Sequence, residues 1–185
     1  MHALDTTTWH ELAPALVREH LAQTGPGVVA EIGVWRGELS ERLLQLPALT
    51  QLLMVDPWEP SVLQTGEGRW FVCGPGNTTV EMEESYGYAQ KVATRAGGRA
   101  CIIRRPSVDA AQDVPDGSLA AVLIDAQHFT DQVIADIRAW LPKLRPGGLI
   151  VGDDYGDYYP GVQRGVEAVF GAAHRVLGQT WWRIV

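Results

Sequence analysis

The sequence contains few of the residues that mark several specialised classes of protein. Its two cysteines, Cys73 and Cys101, are too few for a disulfide framework or a zinc site. We therefore expect both to be small, buried side chains of a protein in the reducing cytoplasm. The sequence has no run of about 18 apolar residues that would span a membrane. The first twenty residues include Asp5, Glu11 and Glu19 and lack the apolar stretch of a secretory signal.

Positive charge is also scarce. The chain has 15 Lys and Arg residues against 22 Asp and Glu residues, which gives a net charge of -7. A large nucleic-acid interface needs a basic surface, so we do not expect nucleic acid as a partner, although a local basic patch is compatible with this balance. Hydrophobic residues make up 46% of the sequence, which excludes disordered and fibrous classes. We expect one domain over residues 1–185.

Helical and strand patterns alternate along the chain. Short apolar runs predict strands buried on both faces of a sheet, and they lie at residues 28–34, 51–56, 99–104, 119–125 and 149–154. Two short strands are predicted near 173–177 and 181–185. Helical spacing predicts helices over 6–24, after Gly37, over 80–96, after Thr130 and around 162–170. Pro14 predicts a late start or a kink in the first of these helices, and Thr130 is a candidate cap of the fourth. This order predicts a doubly wound, three-layer, Rossmann-like α/β fold.

Residues 57–79 interrupt this alternation with a long stretch rich in glycine and proline. Long irregular segments inside compact domains are usually functional loops or disordered, so we predict a lid or insert here. Aromatic side chains in this segment and in the Asp157-Tyr158-Tyr159-Pro160 loop predict an apolar or sugar-stacking cover over an acceptor, although they also fit a role in anchoring a long loop. They are Trp58, Trp70, Phe71, Tyr158 and Tyr159.

Acidic residues or glycine stand where four of the predicted strands end. In doubly wound sheets the ligand lies beyond the carboxyl ends of the strands, so these residues are expected at one site. They are Glu31 and Gly33, Asp56, Asp125, and the pair Asp153 and Asp154.

The turn from Gly33 to Gly37 gives a ligand access to the backbone and to the first N–H groups of a helix. A dinucleotide-binding loop would need glycine where Trp35 and Glu38 stand, and the Gly-Lys-Ser/Thr of a Walker A loop is absent as well. The turn therefore suits a ligand without a pyrophosphate. Asp56 ends the next strand, where an acid can accept both ribose hydroxyls of an adenosine.

These motifs resemble those of class I methyltransferases that depend on S-adenosylmethionine (SAM). The similar stretches are AEIGVWRGELS (30–40), LLMVDP (52–57), PDGSLAAVLIDAQH (115–128), LRPGGLIVGDDY (144–155) and TWWRIV (180–185). The resemblance implies a mainly parallel seven-stranded sheet in the order 3-2-1-4-5-7-6, with the last strand antiparallel. It also implies SAM as cofactor, its methionine part lined by Glu31, Gly33 and Gly37, its ribose held by Asp56, and its adenine near Ser107. The competing interpretation of Gly33 and Gly37 is an ordinary tight turn.

The second half of the expected site contains Asp125, Asp153 and Asp154. Three carboxylates in a partly desolvated cleft repel one another, and a divalent cation such as Mg²⁺, Mn²⁺ or Ca²⁺ relieves that repulsion. The pattern resembles a subgroup of metal-dependent O-methyltransferases that act on deoxysugars of macrolide antibiotics, and more distantly the catechol-type enzymes. That resemblance implies the three aspartates as metal ligands and His128 as the general base. The chain departs from the subgroup at Gln127, where relatives often carry a carboxylate.

For two residues in this second half of the site, an interpretation without a catalytic or metal-binding role remains open. His128 also fits a surface histidine, and Asp153 also fits a turn or helix-cap carboxylate. The sequence thus predicts a SAM-dependent methyltransferase that acts on a hydroxyl of a small molecule, such as a sugar or natural product, with metal assistance. The alternatives are a metal-free methyltransferase of another acceptor atom and a SAM-binding module without catalysis. We expect acceptor recognition to use the loops named above or a second subunit of a homo-oligomer.

Overall fold

The computed structural model describes residues 8–60 and 78–185. Within these residues the strands are β1 (Gly27–Ile32), β2 (Leu49–Val55), β3 (Ala100–Ile103), β4 (Leu119–Ile124), β5 (Leu144–Gly152), β6 (Arg175–Leu177) and β7 (Thr180–Ile184). The α-helices are α1 (Trp9–Thr24), α2 (Glu38–Leu43), α3 (Thr79–Arg95), α4 (Ser107–Ala111), α5 (Thr130–Trp140) and α6 (Pro160–Phe170). The predicted alternation of helices and strands is therefore confirmed.

The strands form one sheet in the order β3-β2-β1-β4-β5-β7-β6, as the resemblance implies. Strand β1 pairs in parallel with β2 and β4, and β2 and β4 pair in parallel with β3 and β5. Strand β7 runs antiparallel to both of its neighbours, β5 and β6. Because β1, β2, β4 and β5 are parallel, their carboxyl ends lie at the same edge of the sheet.

Two hydrophobic cores flank this sheet and give the three layers. The first core joins α1, α2 and α3 to one face, where Val29 of β1 packs. The second core joins α4, α5 and α6 to the other face, where Ala30 and Ile32 of β1 pack. Every residue of β4 is buried, as expected for a central parallel strand covered on both sides.

Several sequence predictions need correction at the level of single elements. Helix α1 continues through Pro14 from Trp9, so the proline does not delay its start. Helix α5 has Phe129 at its N-cap position, and Thr130 is its first helical residue. Cys101 is exposed rather than buried, and Cys73 lies outside the described residues.

Strand β5 begins earlier than predicted. Its pairing with β4 passes from Leu119 opposite Leu144 to Ala121 opposite Leu149. The Arg-Pro-Gly-Gly segment between these pairs forms a bulge within the strand rather than a turn before it. Among the described helices, none has the length and apolar character needed to cross a membrane.

One acidic side chain is enclosed in the second core. Asp136 on α5 is only 5% exposed. Burial raises the pKa of its carboxyl to about 6, and the nearby hydroxyl of Ser107 opposes part of that rise. The same hydroxyl oxygen accepts a hydrogen bond from Nε1 of Trp140 at 2.9 Å. At neutral pH the folded protein therefore carries a buried charge that costs stability.

We expect Asp136→Asn to stabilise the fold in a way that depends on pH. The carboxyl has a pKa of about 6 when folded and of roughly 3.9 when unfolded, so the folded state binds more protons between these values. Stability of the wild type therefore falls as pH rises through this window, whereas the amide does not titrate. The gain in unfolding free energy should reach at most about 3 kcal/mol at pH 7 and fade towards pH 4. Chemical denaturation at both pH values measures it.

The matched control is Asp131→Asn, which removes an exposed carboxylate from the same helix. It should change the stability by less than about 0.5 kcal/mol at either pH. An equal gain from Asp136→Asn at pH 4 and pH 7 would show that buried charge is not the cause.

Candidate active site

The ends of the four central parallel strands are joined by backbone hydrogen bonds. The N–H of Gly33 donates to the carbonyl of Val55 at 2.9 Å, which ties the end of β1 to β2. The N–H of Asp125 donates to Ile32 at 2.8 Å, and the N–H of Asp153 donates to Ile124 at 3.2 Å. The residues that follow β1, β2, β4 and β5 are therefore neighbours, as the sequence predicted.

Gly33 lies where the two halves of the site meet. Its φ is +86°, and a Cβ added here would lie 1.8 Å from the carbonyl oxygen of Asp125. Any side chain at this position would push the turn after β1 away from the end of β4. The glycine thus has a packing role that is independent of any cofactor. Gly37 begins the next helix from the N-cap position in a left-handed conformation.

Glu31 is enclosed within the sheet. It is 1% exposed, and the hydroxyl of Ser40 donates a hydrogen bond to its carboxylate. Burial raises the pKa of Glu31 to about 8, the bond from Ser40 opposes the rise, and the charges of Asp125 and Asp56 add to it. A positively charged ligand nearby would favour the ionised form of this carboxyl.

Asp56 fastens the turn after β1 to the end of β2. Its Oδ2 accepts hydrogen bonds from the backbone N–H groups of Val34 and Trp35, both at 3.0 Å. Its Oδ1 accepts one from the N–H of Trp58 at 2.7 Å. Burial raises the pKa of Asp56, and these three bonds oppose the rise. The sequence did not reveal this anchoring role, which exists beside the predicted contact with a ribose.

Trp58 belongs to the core and not to a lid, so this part of the aromatic prediction is wrong. It is 1% exposed, and its Nε1 donates a hydrogen bond to the carbonyl of Trp35 at 2.7 Å. Trp70 and Phe71 lie outside the described residues, as does most of the predicted lid. Tyr158 is 77% exposed and Tyr159 is partly buried.

Ser107 is the first residue of α4. Its side-chain oxygen accepts the hydrogen bond from Trp140 described above, so the hydroxyl faces the contact between α4 and α5. A contact between this residue and adenine stays a prediction.

The structure brings together three residues from the turns after β4 and β5. The sequence predicts that these turns bind the methyl acceptor, and they are called the acceptor half below. Asp125, His128 and Asp154 each offer one ligand atom, and these atoms lie within 4.8 Å of one another. Nε2 of His128 lies 2.7 Å from Oδ2 of Asp154. Asp154 has a φ of +60°, a conformation that is uncommon outside glycine and that concentrates at functional sites. The next residue, Tyr155, donates its hydroxyl to Glu167 at 2.8 Å and so holds this turn against α6.

Asp153 lies beside this cluster but is not one of its three members. Burial raises the pKa of Asp153 to about 7, and the negative charge of Asp125 adds to the rise. Burial likewise raises the pKa of Asp125 to about 6, and the negative charge of Asp154 adds to this rise. His128 and the indole of Trp9 oppose the rise in pKa. Trp9 comes from α1, and its place beside Asp125 had no signal in the sequence beyond its position in an apolar helical pattern.

The sequence pattern of a family described as a methyltransferase domain matches residues 30–155. The chain belongs to this methyltransferase family. The matched region runs from the end of β1 to the turn after β5, so it contains every strand end described above.

Solved structures of methyltransferases share the Rossmann-like fold of this methyltransferase. The calicheamicin methyltransferase CalS11 is 16% identical with a TM-score of 0.70, and the match covers 94% of this chain and 77% of that one. The O-methyltransferase NovP is 18% identical with a TM-score of 0.65, over 95% of this chain and 78% of that one. Cofactor-bound Rv0187 from MTB is 15% identical with a TM-score of 0.64, and the match covers 98% of this chain and 82% of that one.

A curated relative, the uncharacterized protein y4gI of Sinorhizobium fredii, is 32% identical over 53 residues. The match covers 29% of this methyltransferase and 6% of that relative.

We expect Asp56→Ala to weaken binding of S-adenosylhomocysteine, the demethylated product of SAM. The variant removes the charged acceptor of the predicted ribose contact and also releases the backbone N–H groups of Val34, Trp35 and Trp58. The loss should be about 1–3 kcal/mol in binding free energy, measured by calorimetric titration. Asp56→Asn keeps an acceptor oxygen without the charge and should lose less.

Glu59→Ala is the matched control, because Glu59 is an exposed acid three residues further on. It should bind the product as the wild type does. An unchanged dissociation constant for Asp56→Ala would contradict the assignment of Asp56 to the cofactor site.

Proposed function

We propose that this methyltransferase transfers the methyl group of SAM to a hydroxyl of a small molecule, with assistance from a divalent cation. The observation that carries the proposal is the cluster of Asp125, His128 and Asp154 at the strand ends next to the Gly33 turn. CalS11 is described as a TDP-rhamnose 3'-O-methyltransferase, and NovP as an O-methyltransferase. These relatives of the fold favour a sugar or natural-product hydroxyl as the acceptor.

The residues present fit a divalent cation. Asp125 and Asp154 offer carboxylate oxygens within 4.8 Å of one another, and Asp153 is close enough for its pKa to respond to the charges of both. We assign Asp125, Asp153 and Asp154 as the residues that would hold the cation, which matches the oxygen preference of Mg²⁺, Mn²⁺ and Ca²⁺. A bound cation would lower the pKa of a hydroxyl that binds next to it.

His128 acts as the general base in this proposal. The acceptor oxygen attacks the methyl carbon, the bond between carbon and sulfur breaks, and its electron pair stays on sulfur. The hydroxyl proton passes to the imidazole of His128. The carboxylate of Asp154, 2.7 Å from Nε2, stabilises the positive ring that results.

The cofactor half positions the methyl donor for this attack. Glu31, Gly33 and Gly37 would line the methionine part of SAM, and Asp56 would hold the ribose. Since Gly33 touches the backbone of Asp125, a sulfonium seated at the turn would lie beside the acceptor cluster. Methyl transfer then depends mainly on positioning and exclusion of water. Buried carboxyls around the site favour a positively charged donor.

We expect Mg²⁺ or Mn²⁺ to raise the thermal stability of the wild type, because a ligand that binds only the native state stabilises it. Asp153→Ala should abolish that gain and leave binding of S-adenosylhomocysteine nearly intact, since the cofactor half lies on other strands. His128→Ala should keep the gain and lose turnover, because removal of a base affects the rate rather than cation affinity. Thermal melts and calorimetric titrations of all three proteins measure this.

Asp157→Ala removes an exposed acid three residues after Asp154 and serves as the control, with an unchanged cation response. Loss of cation binding in His128→Ala would make His128 a ligand and not the base. If the wild type binds no cation even with S-adenosylhomocysteine present, and chelation leaves its turnover unchanged, metal assistance is wrong.

Such an enzyme would be a metal-free methyltransferase, with an amine as a further acceptor that the carboxylates can orient. Tight SAM binding without transfer to a wide panel of acceptors would indicate a non-catalytic binding module.

A further inference from the structure

The ring of Tyr159 stacks on the imidazole of His128. The two ring centroids are 4.1 Å apart, and the ring planes differ by 18°. The edge of the same imidazole faces Asp154 through the 2.7 Å contact of Nε2. His128 is thus held across its face by one residue and at its edge by another.

The backbone fixes the place of Tyr159 relative to His128. Tyr159 occupies the N-cap position of α6, and Gly161 lies in the first turn of that helix. A Cβ on Gly161 would lie 2.2 Å from the carbonyl oxygen of His128 and 3.1 Å from the nitrogen of Thr130. Helix α6 therefore starts in direct contact with the main chain that carries the histidine. One turn later, a Cβ on Gly165 would lie 2.7 Å from Cβ of Val133, so the close contact continues along α5.

The neighbouring Tyr158 is placed differently. Its ring meets the edge of Tyr159 at a centroid distance of 4.7 Å and an angle of 88°, and the residue is 77% exposed. It packs on the tyrosine that covers the histidine and points towards solvent. The chain therefore offers two adjacent tyrosines that differ in their relation to the imidazole.

We propose that Tyr159 is a positioning residue that fixes the plane of the His128 ring for proton transfer. The second torsion of a histidine side chain has only broad preferences, so the ring needs external contacts to hold one plane. Catalytic geometry tolerates errors of roughly 0.5 Å and 10–20°. Stacking on one face, with Asp154 at the edge, opposes rotation of the ring out of this plane. The inference rests on the proposed role of His128 as the base.

The test compares Tyr159→Phe, Tyr159→Leu and Tyr158→Leu with the wild type. The first variant keeps the aromatic face, the second removes it, and the third is the matched control. The imidazole protons of His128 are followed by NMR, since an aromatic ring stacked on them shifts their resonances upfield. Turnover with an accepted hydroxyl substrate and the affinity for S-adenosylhomocysteine are measured on the same samples, together with thermal melts that confirm folding.

Tyr159→Phe should keep the upfield shift and retain kcat within about twofold. Tyr159→Leu should lose the shift and lower kcat by about 10- to 100-fold, in line with the cost of small misplacements. Its affinity for S-adenosylhomocysteine should stay unchanged, because the cofactor half lies on β1 and β2. Tyr158→Leu should keep the shift and the kcat of the wild type.

Two results would overturn the positioning role while leaving methyl transfer intact. One is a kcat of Tyr159→Leu equal to that of the wild type after the shift is lost. The other is failure of Tyr159→Phe to rescue kcat, which would assign the effect to the hydroxyl. Absence of turnover in the wild type with every hydroxyl acceptor would contradict the proposed function itself, and the positioning role with it.

Discussion

Four carboxyl groups are held at one edge of the sheet in surroundings that oppose their ionisation. Burial raises the pKa of Glu31, Asp56, Asp125 and Asp153 above their ordinary values. Such an edge favours positively charged ligands, because a nearby positive charge offsets the cost of ionising each carboxyl. The sulfonium of SAM and a divalent cation both carry that charge. The electrostatics of the strand ends and the needs of a metal-assisted methyl transfer therefore agree.

The backbone makes this concentration of charge feasible. Each central strand donates an N–H beyond its own end to the neighbouring strand, so residues far apart in sequence become adjacent. Gly33 permits the closest of these approaches, since any Cβ there would overlap the carbonyl of Asp125. The cofactor half and the acceptor half thus share one main-chain contact.

Much of this arrangement could be predicted from the sequence. The apolar runs that became β1 and β4 are typical of buried central strands, and acids directly after such runs converge once the strands are parallel. The order of the whole sheet came from the resemblance to known methyltransferases. The structure brings Asp125, His128 and Asp154 together, while their roles as ligands and base stay predictions. Asp153, which the same motif includes, lies beside that trio.

The remaining contacts depend on tertiary packing, which no local pattern encodes. Asp56 bonds to three backbone N–H groups, and a strand-end acid looks the same in sequence with or without them. Trp58 follows a strand at the start of an irregular segment, which favoured a lid, yet its side chain is buried in the core and its indole donates to the backbone carbonyl of Trp35. The stack of Tyr159 on His128 arises because two glycines let α6 approach α5 closely.

The most direct measurement is a crystal structure of the protein with S-adenosylhomocysteine and Mn²⁺, with anomalous scattering used to locate the cation. The account predicts the cofactor sulfur at the turn between Gly33 and Gly37, with one anomalous peak about 2.0–2.6 Å from carboxylate oxygens of Asp125, Asp153 and Asp154. An ordered cofactor with no anomalous peak at these carboxylates would contradict a metal-assisted site. A cofactor bound away from the Gly33 turn would contradict the account as a whole.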